Sequence, residues 1–449
     1  MTRRGKALGL WTALALVVGN MVGAGAYLVP ASLGAYGSVG LVGWVVTSVG
    51  AVSLALVFGR LGRIMPAEGG PYAYTRAAMG DLPAFLVAWG YWISVWVGNA
   101  AIATAFVAYL TPFLPGLEAS PLTTAGAALG TIWLLTAVNV WGLREAAVLQ
   151  LVTTVLKVLP LLLVGSLGLL ALDPANLHPF NVSGGSTLSA VTATAALTLW
   201  GLLGLESATI PAEEVEDPER TIPLVTVLGT VATAAVYILS TLAVMGVLSA
   251  GELAGSSAPY AEAATRMWGR GAGVLVAVGA AMAGFGVLNG WVLMQGQMPL
   301  APARDGLFPR AFARLSPRGT PTWGLVLSSA LTSVLVAANY TRGLIGLFNF
   351  AILLATVTVL ASYLCTSLAQ ILFIRRHPAR FGGGDARRAV AVSVVALAYS
   401  CFAVVGAGRD ALLWGVVLMA MGLPVYHAAV RERAGRMDVS AAKPGPTDV

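Results

Sequence analysis

Gly19-Asn20-Met21-Val22-Gly23-Ala24-Gly25 and Trp200-Gly201-Leu202-Leu203-Gly204-Leu205-Glu206 each interrupt a long apolar segment of this 449-residue chain with closely spaced glycines. A helix in lipid cannot leave backbone N–H and C=O groups unpaired unless they face protein, water or a ligand. Two such interruptions, five apolar segments apart, therefore predict a binding site near mid-membrane built from discontinuous helices. The segments on either side decide how far that expectation reaches.

Hydrophobic residues make up 57% of the chain and charged residues 10%, against about 25% charged in an ordinary soluble domain. The composition is that of an all-α, polytopic membrane protein. Cys365 and Cys401 lie in apolar runs without ligand spacing, which excludes a disulfide framework or metal centre and makes both packing residues. The net charge of +7 lies in loops and forms no aromatic-interleaved patch, so no nucleic-acid partner is expected. His178, His377 and His427 fall in or near loops, so no catalytic constellation, metal or cofactor is expected. An enzyme or a channel is the reading from another class, and neither charged rings nor a repeated filter supports the channel.

Apolar stretches sufficient for a helical crossing, about 20 residues each, occur near 8–32, 37–59, 82–112, 122–141, 147–172 and 186–210. Six more lie near 222–248, 267–297, 321–338, 343–373, 388–407 and 411–428. Twelve crossings with both termini cytoplasmic leave only Arg266, Arg270, Arg342 and Arg409 outside, of 26 basic residues, with Lys157 within a span. That asymmetry follows the positive-inside rule and predicts an inner-membrane, multi-pass topology. Matching interruptions in segments one and six make 1–172 and 186–373 two inverted repeats of five helices, with 388–428 as two extra helices. The whole of 1–428 is one domain on this reading, and 429–449 is a disordered cytoplasmic tail.

Lys157 and Glu206 are the ionisable side chains placed inside spans, and each is a functional candidate by default. Lys157 can neutralise carbonyls freed by the interrupted first span, in place of a sodium ion, and can exchange a proton during a cycle. It can also be a structural cation tied to backbone carbonyls. Glu206 either reaches inner water or forms a proton-binding gate beneath a ligand. After Gly23 the helix restarts, and the free N–H groups of Ala24 and Gly25 at its positive end suit a carboxylate. Carbonyls near Met21, Trp200 and Leu203 suit an ammonium group, so the two ends together describe an α-amino acid zwitterion. A close-packing glycine face is the alternative for a single segment. Trp200, Trp291 and Tyr91 are available to enclose a ligand, and Asn99 to hydrogen-bond one or to link helices.

The run from Gly19 to Pro30, the turn Glu68-Gly69-Gly70-Pro71-Tyr72-Ala73-Tyr74, Trp200 to Ser207, and Asp305-Gly306-Leu307-Phe308-Pro309 resemble the amino acid–polyamine–organocation (APC) family of transporters. Within it they are most similar to the arginine/agmatine antiporter branch. The resemblance implies a leucine-transporter-type 5+5 fold with alternating access. It places a substrate carboxylate on the amides of Ala24 and Gly25, with Gly23 also at the substrate, the amino group on Met21, Trp200 and Leu203, and the side chain between Trp291 and Asn99. It also makes Trp200 a middle gate and Tyr91, Glu206 and Tyr363 an inner gate, and implies a homodimer. Ala24 stands where that branch has a serine. Lys157 stands where it has an apolar residue, as in sodium-independent and proton-coupled branches. The expectation is a sodium-independent amino-acid transporter, exchanging cationic amino acids and amines such as arginine and agmatine; proton-coupled symport of neutral amino acids is the alternative.

Overall fold

The computed structural model describes residues 8–67, 69–141, 157–210, 212, 215–377 and 383–441. Every regular element among them is a helix, apart from one isolated bridge between Leu8 and Val215. In a helix, long runs of Leu, Val, Ala and Gly pair their backbone groups within the segment, as lipid requires. The chain forms α1 (Leu10–Met21) and α2 (Ala24–Gly34), which together make one crossing, then α3 (Val39–Ile64), α4 (Pro71–Met79), α5 (Asp81–Leu110) and α6 (Pro121–Trp141). An apolar helix over Lys157–Ala171 is α7. It is followed by α8 (Thr187–Leu199), α9 (Pro218–Val247), α10 (Ala250–Gly255), α11 (Pro259–Trp268), α12 (Arg270–Gln297) and α13 (Leu300–Arg304). The chain ends in α14 (Thr322–Asn339), α15 (Gly343–Arg376), α16 (Gly383–Gly406), α17 (Arg409–Ala420) and α18 (Gly422–Ala441).

By length and composition nine helical stretches among the described residues can cross a membrane. One of them, Thr322–Arg376, contains both α14 and α15, and the shorter apolar helices Lys157–Ala171 and Thr187–Leu202 stand beside them. The chain is therefore a multi-pass, all-α membrane protein. The expected span at 147–172 is seen from Lys157 onward; its first ten positions lie outside the described residues. The stretch expected to be apolar helix through residue 210 stops sooner, because winding gives way to an irregular segment after Leu202.

Two groups of helices pack against each other. In one, α3 lies along α8 and α9, and α9 along α1; in the other, α5, α6, α12 and α14 contact one another. The long helix α15 runs along α5 and also touches α3. Close approach there depends on a missing side chain, since a Cβ on Gly90 of α5 would lie 2.5 Å from the Thr358 carbonyl of α15. In its most apolar window α5 is 89% buried, whereas the window from α17 into α18 is 17% buried, so α5 is the axis of the core and α17 its rim.

Of the tail 429–449, expected to be disordered, the part to Ala441 continues as helix, and 442–449 lie outside the described residues. Ion pairs anchor that extension: Glu432 meets Arg310 at 2.8 Å and Arg433 meets Asp81 at 3.1 Å. Asp81 is also bonded by Arg76, which bonds Asp305 in turn. Polarity suggested disorder, but these charges have partners. Cys365 is half-buried as expected of a packing residue, whereas Cys401 is exposed on α16, against that expectation.

Candidate substrate site between two helix interruptions

The first interruption is two residues long. Helix α1 ends at Met21, Val22 (ψ 99°) and Gly23 (ψ 179°) run extended, and α2 begins at Ala24. Gly23 provides no side-chain cap; the Ala26 amide donates to the Gly23 carbonyl at 3.0 Å, while helix geometry gives the Ala24 and Gly25 amides no partner within α2. A Cβ at Gly23 would lie 2.8 Å from Val287 of α12, which explains the residue: the extended link presses on the opposite wall.

The second interruption is longer. After α8 a short 3-10 turn spans Trp200–Leu202, Leu203 is extended, and Gly204 takes φ +100°. A side chain at Gly204 would be strained by that backbone and would meet Asn20 Cβ at 3.1 Å. The two interruptions are tied directly, Asn20 Nδ2 donating to Ser207 Oγ over 2.8 Å.

Between them lies a cavity lined by Asn20, Met21, Gly23, Ala26, Ser94, Val95, Gly98, Ile102, Trp200, Leu203, Val287 and Trp291. Of the residues singled out in the sequence, Met21, Gly23, Trp200, Leu203 and Trp291 meet there. The Trp200 ring stands edge-on to Phe348 of α15, with centroids 5.7 Å apart.

Glu206 is fully buried. Its two carboxyl oxygens accept separately, one from Tyr91 Oη at 2.7 Å and the other from Tyr363 Oη at 2.9 Å. One acid thus joins α5, α15 and the second interruption. Lys157 is also fully buried, and its Nζ donates to the Gly19 carbonyl over 2.5 Å. Its own carbonyl accepts from Tyr27 Oη, and the Tyr27 carbonyl accepts from Tyr109 Oη. A cation is thereby placed on the last turn of α1, where the helix dipole ends negative.

Three of the groups expected at the ligand already have partners within the protein. The Met21 carbonyl, expected to be free for an ammonium, accepts from Tyr237 Oη at 2.7 Å, and the Trp200 carbonyl accepts from the Leu203 amide at 3.2 Å. Buried carbonyls find partners within the protein wherever the fold supplies one. Asn99, expected beside the ligand, is not among the lining residues; it donates to Gln295 Oε1 at 2.7 Å. Tyr237, Gln295, Phe348 and Ser207 were missed. Tyr237 and Gln295 are polar groups within apolar runs, and that was the available signal.

Among the described residues no cluster of His, Cys, Asp and Glu could hold a metal. Packed apolar helices around a cavity between two helix interruptions are the architecture expected of a membrane transporter. The amino acid permease family model matches residues 8–421, and the chain belongs to that family, within the APC superfamily. It is 30% identical over 412 residues to "Putrescine transporter PotE" of Escherichia coli K12, covering 92% of this chain and 93% of that protein. It is 31% identical over 443 residues to the "Cadaverine/lysine antiporter" of the same organism, covering 95% and 96%. The Haemophilus influenzae PotE is 29% identical over 433 residues, covering 95% and 98%.

Proposed function

We propose that this protein exchanges cationic amino acids and aliphatic amines across the inner membrane by alternating access, without sodium. The observation that carries the reading is the single cavity shared by the extended Val22–Gly23 link and the unwound Trp200–Leu203 segment, with Trp291 on its far wall. On this reading the amides at the start of α2 hold a carboxylate. An ammonium lies near Met21 and Leu203, and the aromatic faces of Trp200 and Trp291 attract a cation without a carboxylate in the lining. Similarity to proteins described as putrescine and cadaverine/lysine transporters supports that choice of substrate.

Twelve crossings in two inverted sets of five, plus α16 and α17, would place both termini on the cytoplasmic face. The group of α1, α3, α8 and α9 would then rock against that of α5, α6, α12 and α14. Trp200 would gate the cavity, and Tyr91, Glu206 and Tyr363 would close the path beneath it. Lys157 occupies the carbonyl of Gly19 that a sodium ion would otherwise neutralise, and would serve proton coupling together with Glu206. The exposed Leu413, Trp414, Val416 and Val417 of α17 would form the face for a second copy. The absence of any carboxylate among the lining residues favours a second reading, proton-coupled symport of neutral amino acids.

Uptake into proteoliposomes of labelled lysine, cadaverine, putrescine, arginine, agmatine, alanine and leucine decides between them. Uptake of the cationic set should require internal substrate and ignore sodium. Uptake of alanine and leucine driven by a pH gradient alone would select the second reading, and strict sodium dependence would reject the role given to Lys157.

A further inference from the structure

Three helix ends meet at one end of the bundle and carry an excess of positive charge. The last turns of α3 and α15 and the first turns of α16 are joined by Ile64, Ile374 and Ala389, with Ala386 and Val390 packed beside them. Arg60 of α3 grips the Asp385 carboxylate of α16 through both terminal nitrogens, at 3.0 and 3.2 Å. Gln370 of α15 donates to the Ala389 carbonyl at 3.2 Å. Over 58–64, 372–377 and 385–391 the chain carries Arg60, Arg63, Arg375, Arg376, Arg387 and Arg388 but a single acid, Asp385. Arg60 is taken by that acid and Arg376 by the Ala78 carbonyl. The other four arginines are exposed and have no acidic partner among the described residues.

Each of those four ends an apolar stripe that faces outward. Val49, Leu56 and Arg63 of α3 are exposed and seven residues apart, and so are Val395 and Arg388 of α16. The same spacing joins Val394 to Arg387 and Leu368 of α15 to Arg375. Seven residues return to the same helix face to within about 20°. From Val49 to Arg63 the stripe runs roughly 21 Å at about 1.5 Å per residue, enough to line one leaflet of a ~30 Å hydrocarbon core.

The stripes of α3 and α16 flank one seam. Asp385 of α16 meets Arg60, and a Cβ on Gly50 of α3 would run into the Tyr399 ring of α16. Arg388 follows Asp385 by three residues and Val395 precedes Tyr399 by four, while Arg60 follows Leu56 by four and precedes Arg63 by three. Residues three and four apart are neighbours on a helix surface, so both stripes lie along the α3–α16 contact.

We propose that this seam binds an anionic phospholipid, its phosphate held by Arg63 and Arg388 and an acyl chain laid along Val49, Leu56 and Val395. A guanidinium forks onto two phosphate oxygens, and no carboxylate competes for it because Arg60 holds Asp385. A zwitterionic headgroup brings its own cation to the same arginines and is disfavoured. Such a site needs only that α3 and α16 cross a bilayer, and it stands apart from the cavity and its substrate.

The full-length protein in a non-ionic detergent, titrated with dioleoylphosphatidylglycerol or dioleoylphosphatidylcholine and read by native mass spectrometry, provides the test. The wild type should hold its tightest-bound anionic lipid on the order of tenfold or more above the zwitterionic one. Arg63→Gln combined with Arg388→Gln should weaken that anionic lipid by fivefold or more, at about fivefold per arginine removed, and leave the zwitterionic lipid unchanged. Arg314→Gln combined with Arg318→Gln removes as much charge from an exposed loop elsewhere and should shift neither lipid by more than about twofold. Inorganic phosphate should not displace the anionic lipid. Equal affinity of the wild type for the two lipids would overturn the proposal, as would equal losses in the two paired variants. Displacement by inorganic phosphate would also overturn it, by marking a site for a free anion. Should the first pair not fold, Arg388→Gln alone decides: a loss of about fivefold for the anionic lipid only supports the site, and no loss rejects it.

Discussion

The two helix interruptions differ in what holds them. The first is satisfied from a distance: Lys157 takes the Gly19 carbonyl and Tyr237 takes the Met21 carbonyl, each from a helix far away in sequence. The second is satisfied mostly within itself, with Leu203 N on Trp200 O, Ser207 N on Gly204 O, and Thr209 N on Glu206 O. A break held by remote side chains is vulnerable at single remote positions. A break held by its own turns is vulnerable at the glycine that permits the turn and at Glu206, its one long-range tie to the tyrosines.

Replacing Lys157 attacks the first break most severely. Lys157→Met leaves the Gly19 carbonyl buried without its donor, and we expect a stability loss of about 1–3 kcal/mol, with substrate exchange falling to background in the proteoliposome assay. Gly204→Ala is the corresponding attack on the second break. Its positive φ should cost about 1–2 kcal/mol, read as a lower melting temperature in detergent; an unchanged midpoint would mean the turn can be redrawn without glycine. Tyr237→Phe removes one hydroxyl from the first break and should cost about 1 kcal/mol. The same change at Tyr363 should cost less, because Tyr91 still binds Glu206; the reverse order would refute the contrast drawn here.

The smallest effect lies away from both breaks, in a connection that titrates. Arg266, then Ser249, hold the Glu252 carboxyl at about 2, below its ordinary 4.5. A depressed folded-state value stabilises above 4.5, and that contribution is lost as pH falls from 4.5 towards 2. Amide protection in α10, measured relative to the intrinsic exchange rate at each pH, should fall through that window, since Ser249 and Glu252 cap its N-terminus as a reciprocal box. Exchange at the two interruptions should not follow it.

Much of this was legible in the residues because each feature contradicts its surroundings. Clustered glycines in an apolar run, one buried lysine and one buried glutamate all stand out against lipid-compatible sequence. Partners were harder to read. Nothing in the spacing of Tyr237 says that its hydroxyl reaches Met21, 216 positions away, since tertiary packing alone sets that meeting. Asn99 was visible as a polar group, but its partner Gln295 lies on another helix, so its displacement from the lining could not be foreseen. The helix after 428 was misread because polarity without a visible partner resembles disorder; Asp81 and Arg310, which hold it, lie far upstream in the chain.

Asp81 opens α5 and is gripped from two sides, by Arg76 of α4 and by Arg433 of α18. Because α5 is the most deeply enclosed of the long apolar helices among the described residues, the terminal helix is moored to the core, which on the proposed mechanism would be the steadier part. A fluorophore attached near its end would therefore serve as a fiducial mark, against which displacement of a second dye on α1 or α8 could be read directly.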